Sequence, residues 1–133
     1  FSSYCPLKKD LNDFMVGRDR FDQLKEVVAE IKRLKRVHRN IKNSDFYLEN
    51  IPRYFQTGGI GNCQAGKRWV QATPDGFIQQ CSELPRVAHF TEYNAREVKQ
   101  PACTKCWYTC RGESEAPVLT WRRISELVRA YAN

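Results

Sequence analysis

Five of the six cysteines fall between residues 63 and 110. Cys63 and Cys81 bracket the segment QAGKRWVQATPDGFIQQ, and Cys103, Cys106 and Cys110 crowd into CTKCWYTC. Thiolates at this density, interleaved with aromatic and cationic side chains, are the donor set of soft metals and iron–sulfur centres. Cys103-x2-Cys106 is a compact chelating pair, whose sulfurs can face one centre while the intervening amides point at them. Cys63 and Cys81 complete a four-thiolate shell if the chain between them folds back. Cys110 is a fifth thiol, able to replace one of the four, to bind a second centre, or to stay free.

The segment between the first two thiols predicts such a fold-back. Residues 67–73 read as a strand, Pro74-Asp75-Gly76 as a tight turn and residues 77–81 as the returning strand. Proline pre-sets φ in the turn and glycine tolerates the left-handed position of a bulged hairpin. This loop pairs Thr73 with Phe77 and sets Trp69 opposite Cys81, bringing Cys63 to the same end. Residues 82–100 are polar, with His89, Phe90 and Tyr93, and predict a short helical or irregular connection to the cysteine-rich knuckle at residues 102–111.

Helices flank this module. Residues 1–17 carry little pattern beyond Phe14, Met15 and Val16. Asp19 is the expected N-cap of a helix over residues 19–38, with Phe21, Leu24, Val27, Val28, Ile31, Leu34 and Val37 as its apolar stripe. Lys32, Arg33, Lys35, Arg36, Arg39 and Lys42 load its C-terminal end, where cations suit the helix dipole. A solvated face is the expectation for this run, with His38 a surface residue. Ser44-Asp45 opens a second helix, and Pro52 is expected to end it near Asn50, with a further turn beyond. Phe46, Tyr54 and Phe55 are read as packing residues. The run TGGIG at residues 57–61 marks a boundary. After Pro117, Thr120 caps a last helix bearing Ile124, Leu127, Val128 and Tyr131. The expectation is an α+β chain: a helical segment (residues 1–57), a cysteine-rich module (58–117) and a C-terminal helix (118–133).

The totals bound the class. A chain of 133 residues, 41% hydrophobic and 28% charged, suits one soluble domain or a piece of one. No apolar run approaches the roughly 20 residues that span a bilayer. The start, FSSYCPLKKD, lacks a signal-peptide pattern and an initial Met, so a fragment or processed chain is expected, cytoplasmic in location. The net charge of +7 permits anionic partners without requiring them. An even cysteine count raises a disulfide framework, but CxxC spacing without a secretory signal points to metal chemistry instead. His38 and His89 have no nucleophile or acid signature beside them, and the hydrolase motifs are absent, so no catalytic residue is assigned.

Cys63-x12-Gly76-x4-Cys81, followed by Cys103-x2-Cys106 with Cys110 close behind, resembles the C-terminal module of radical S-adenosylmethionine (radical SAM) enzymes, the SPASM domain and its shortened twitch form. Upstream, Asn43, Ser44, Tyr47, Leu48, Ile51, Tyr54 and Phe55 are similar to the segment leading out of such an enzyme's barrel, so the resemblance covers residues 19–111. It implies a twitch-like module with one auxiliary [4Fe–4S] cluster on Cys63, Cys81, Cys103 and Cys106, Cys110 as a substitute ligand, and Gly76 as the hairpin glycine. It implies a supporting role in electron transfer or substrate binding beside the rest of the barrel, acting on a peptide or small molecule. The C-x3-C-x2-C motif that binds the S-adenosylmethionine-cleaving cluster is absent here; residues 103–110 run in the opposite order. Radical chemistry, and S-adenosylmethionine itself, therefore belong to a missing part. Trp69, Trp107 and Tyr108 are expected either to shield the cluster or simply to pack, and Lys67, Arg68, Lys105 and Arg111 to offset its charge, with attraction of an anionic substrate as the alternative. The alternative is a zinc-binding interaction module whose basic helix contacts nucleic acid. Zinc ribbons carry CxxC on both sides, whereas Cys63 and Cys81 are single, so nucleic acid is not the favoured partner.

Overall fold

Among the described residues of this computed structural model, 1–5 and 13–131, four α-helices accompany one three-stranded antiparallel sheet, an α+β arrangement. Part of the unpatterned N-terminal stretch, residues 6–12, lies outside the described residues.

Helix α1 (Phe21–Val37) follows a 3-10 turn at Arg18–Arg20. Asp19 is therefore not its N-cap; Arg20 holds that position without a side-chain cap. The turn closes its own backbone through Arg20 N–H to the Gly17 carbonyl at 3.0 Å, which satisfies a donor that a cap would otherwise serve. The buried stripe is also narrower than the periodicity predicts. Val28 is buried and Leu24, Ile31 and Leu34 are half-buried, while Val27 and Val37 are exposed. Among the described residues α1 packs chiefly against one neighbouring helix, so only one seam of its apolar surface is well covered.

That neighbour is α2 (Asp45–Thr57), whose N-cap Ser44 accepts a hydrogen bond from Tyr47 N–H at 3.0 Å. The helix continues through Pro52 rather than ending near Asn50. Proline removes the bond to the Leu48 carbonyl and costs about 3 kcal/mol or more. Ile51 and Tyr54 lie on either side of it and are both buried, so packing of that face carries the helix past the break. It stops at Gly58, whose φ of 70° makes the left-handed cap.

The basic end of α1 meets the acidic first turns of α2. Lys32 bonds Glu49 at 2.5 Å and Lys35 bonds Asp45 at 2.8 Å. Helix α4 (Trp121–Tyr131) starts at Thr120, whose hydroxyl accepts from Arg123 N–H at 3.2 Å, and joins the same network through Arg122. Burial works against the charged form of Asp45, but Lys35 and Arg122 outweigh it and hold the carboxyl below its ordinary 3.8. Burial also works against the charged form of Glu49, and Arg122 and Lys32 outweigh it to lower that carboxyl. Groups with depressed values stabilise the fold above their ordinary pKa and lose that contribution as pH falls through the folded value. Thermal unfolding should therefore shift downward as pH falls below about 4, and Asp45→Asn should flatten that limb by no more than about 1 kcal/mol, because the pairs are partly exposed.

The sheet runs β1 (Gln71–Ala72), β2 (Phe77–Gln79) and β3 (Arg86–His89) in that order. Register pairs Gln71 with Gln79 and Ala72 with Ile78, and the turn closes through Thr73 N–H to the Phe77 carbonyl at 2.8 Å. Gly76, at φ 85°, takes the position closed to side chains. Both hairpin strands are shorter than expected, and Trp69 does not pair with Cys81 in the ladder. The chain turns at Gly66–Trp69 and again at Cys81–Leu84, where backbone bonds of 2.7 and 3.1 Å replace the ladder. Strand β3 forms within the segment expected to be a short helical or irregular connection, pairing with β2 across a bulge at Ile78 and Gln79.

The core sits between α2 and the knuckle rather than under the sheet. Trp107, fully buried, stacks on Tyr47 with ring centroids 6.0 Å apart. Its indole N–H donates to the Tyr47 carbonyl at 3.0 Å. Val28, Leu48, Ile51, Tyr54 and Cys5 complete this cluster. The chain then enters α3 (Thr109–Glu115), a helix the sequence pattern does not announce.

Candidate metal centre: a thiol-lined cavity

The short hairpin, the turn at Cys81 and the knuckle enclose a cavity of about 690 Å³. Cys63, Cys81, Cys103, Cys106 and Cys110 all line it. Three separate chain segments thus deliver five thiols to one space. All six cysteines are free, so none is spent on a disulfide.

Local structure explains how each thiol is held. Cys63 is buried on a loop pinned to the knuckle: its N–H donates to the Cys103 carbonyl at 3.3 Å, and Ile60 N–H to the Thr104 carbonyl at 2.8 Å. Gln100 Nε2 donates to the Cys63 carbonyl at 2.6 Å. The approach is close enough that a Cβ on Gly59 would lie 2.5 Å from the Thr104 oxygen. Cys81 ends the hairpin and starts the turn to Leu84. Cys106 is half-buried beside Trp107, whose burial fixes the knuckle from behind. Cys110 is exposed, at the start of α3.

Cys5, whose role the sequence does not indicate, is buried in the core and accepts from Trp107 N–H at 3.3 Å. It packs as a small apolar residue and does not line the cavity.

Burial pushes the Cys63 and Cys81 thiols upward from their ordinary range, and pushes Cys106 up to about 11. Arg111 pulls against the rise at Cys63 and Cys106. Burial likewise drives the Tyr108 phenol up to about 12, so it stays neutral at the cavity wall. At neutral pH these thiols carry their protons, and binding as thiolates must release them.

Of the residues expected to shield a bound group, Trp69 and Tyr108 line the cavity together with Val70, Leu84 and Pro101. Trp107 does not; it faces the α2 core. Of the cations expected to offset charge, Arg111 and Lys105 reach the wall, while Lys67 and Arg68 do not. Arg111 alone of these is fully buried, a distinction that four nearby basic residues in a sequence do not reveal. His38 is exposed, and His89 packs against Phe77 and Phe90 away from the cavity.

Two observations bear on what fits. Among the described residues no three His, Cys, Asp or Glu side chains converge closely enough to hold one metal ion. Tetrahedral zinc, with sulfur at about 2.3 Å, requires sulfurs roughly 3.8 Å from one another. The thiols line the cavity without meeting at one point. Second, Trp69 lines the cavity, and its Nε1 is buried without a hydrogen-bond partner among the described residues.

No family model, curated protein or solved structure matches this chain.

Proposed function

We propose that this cavity binds one auxiliary [4Fe–4S] cluster and that the chain is the twitch-like C-terminal part of a radical SAM enzyme, cytoplasmic, working beside a barrel on a peptide or small-molecule substrate. The observation that carries the reading is the gathering of five thiols from three segments around about 690 Å³. Cys63, Cys81, Cys103 and Cys106 would hold the cluster, and Cys110, at the exposed rim, would be the substitute ligand. The long helix α1 and the capped helix α4 flank the module as the segments leading in and out of it.

When bound, such a cluster supplies a one-electron relay or, with an iron left open, a substrate ligand. Four protein thiolates favour relay or structural support. The chain's own residues would bind through these thiols and exclude water with Trp69, Leu84, Pro101 and Tyr108. The chain holds no C-x3-C-x2-C segment, so activity on substrate is not assigned to it alone.

Metal-free protein offered iron, sulfide and zinc together under anaerobic conditions should take up iron and sulfide and gain broad visible absorption. Uptake of zinc alone by a colourless protein would support the zinc interaction module in its place. Uptake should strengthen as pH rises from 7 towards 9, since raised thiol pKa values make each bound thiolate release a proton; a pH indicator in weak buffer would record that release. Uptake that does not change with pH would mean that the buried thiols are not the ligands.

A further inference from the structure

Arg111 stands one residue after Cys110, in the first turn of α3, yet its side chain is fully buried. A buried guanidinium is costly unless every donor is met. Here Nε pairs with Glu115 at 3.0 Å and Nη1 donates to the Cys106 carbonyl at 2.8 Å. Nη2 donates to the carbonyls of Ile60 and Gly61 at 2.8 and 3.0 Å. Glu115 also accepts from Gln64 N–H at 2.9 Å, on the other side of Cys63.

These bonds join two walls of the cavity. Ile60, Gly61 and Gln64 belong to the loop that carries Cys63, and Cys106 is itself one of the thiols. A planar fork with donors in fixed directions can hold several carbonyls at once, whereas a lysine offers a point charge and no fork. The cation also stands at the cavity wall, where thiolate charge would accumulate.

We propose that Arg111 is the positioning residue of the thiol cavity: its fork clamps the Cys63 loop to the knuckle, and its fixed charge sets the redox poise of the bound group. The second half rests on the cluster reading above; the first does not. A positive charge beside a cluster stabilises its more negative, reduced state, so removing that charge moves the midpoint potential negative.

The experiment compares Arg111→Lys and Arg111→Met in the full chain. In metal-free protein, amide exchange at Ile60 and Cys63 should accelerate about tenfold or more in both variants, with Leu48 and Tyr54 of α2 unchanged. In iron-loaded protein, Arg111→Met should titrate at a more negative potential, and Arg111→Lys should restore the wild-type value. Exchange unchanged at Ile60 and Cys63 in both variants would overturn the clamp. One potential shared by all three proteins would overturn the charge. Should Arg111→Met fail to fold, Arg111→Lys still reports the clamp, and Glu115→Gln, which removes the countercharge, should move the potential positive. If wild-type protein takes up no iron and sulfide, the cluster reading fails with the charge half, and exchange in the metal-free chain still decides the clamp.

Discussion

A Trp107→Ala protein will unfold about 3–5 kcal/mol more easily than the wild type, the largest stability loss expected of any single truncation here. Trp107 is fully buried and touches both halves of the chain: the Tyr47 and Phe46 rings of α2 lie with centroids 6.0 Å away. Its indole donates to the Tyr47 carbonyl, its backbone N–H to Cys5, and its carbonyl accepts from the Ser3 hydroxyl. Truncation leaves a cavity that these rings cannot collapse into, and it strips the Tyr47 carbonyl of a buried partner. Urea unfolding at constant m measures the loss. Trp121→Ala is the control: that side chain is 82% exposed, so its removal should change stability by less than about 0.5 kcal/mol. Equal midpoints for the two variants would mean that the knuckle does not depend on the α2 core.

Cys106→Ser should abolish iron and sulfide uptake while leaving the fold intact. Cys106 lines the cavity, half-buried, with its backbone carbonyl held by Arg111 at 2.8 Å, whereas the candidate substitute Cys110 lies at the exposed rim. A hydroxyl fills nearly the same volume but is a hard, weakly acidic donor, poorly suited to soft iron–sulfur ligation. The loss should exceed the roughly 10–100-fold that follows removal of an outer partner of a metal ligand. Cys110→Ser, at the exposed rim, should lose much less, and Cys5→Ser should show its effect in stability rather than uptake. Iron and sulfide per chain, measured for the three variants against wild type, separates these outcomes. Equal loss in Cys110→Ser and Cys106→Ser would make Cys110 a primary ligand, and no loss in Cys106→Ser would remove it from the ligand set.

The parts legible in the sequence are those that short-range physics determines. Ser44 and Thr120 act as caps because a hydroxyl at that position reaches the amide three residues on, whatever surrounds it. The turn at residues 74–76 forms where Pro and Gly place it. Tertiary contacts account for the departures. Pro52 stays helical because Ile51 and Tyr54 bury their face, and Val27 and Val37 stay exposed because α1 packs chiefly against α2. Strand β3 is four residues of mixed polarity, too short and too polar for alternation to announce, and it exists because β2 offers an edge. At the site, thiol spacing picks out the residues that line the cavity, including the distant Cys63 and Cys81. It does not reveal that Trp107 turns away to the core, or that Arg111 is buried where Lys67 and Arg68 are exposed. Both depend on which face of α3 and the knuckle meets α2, which is a matter of packing and not of spacing.

The most direct measurement is the iron, acid-labile sulfide and zinc content of the protein purified without oxygen. Binding of one [4Fe–4S] cluster predicts about four irons and four sulfides per chain, with zinc near zero. One zinc per chain, with neither iron nor sulfide even after anaerobic reconstitution, would contradict it.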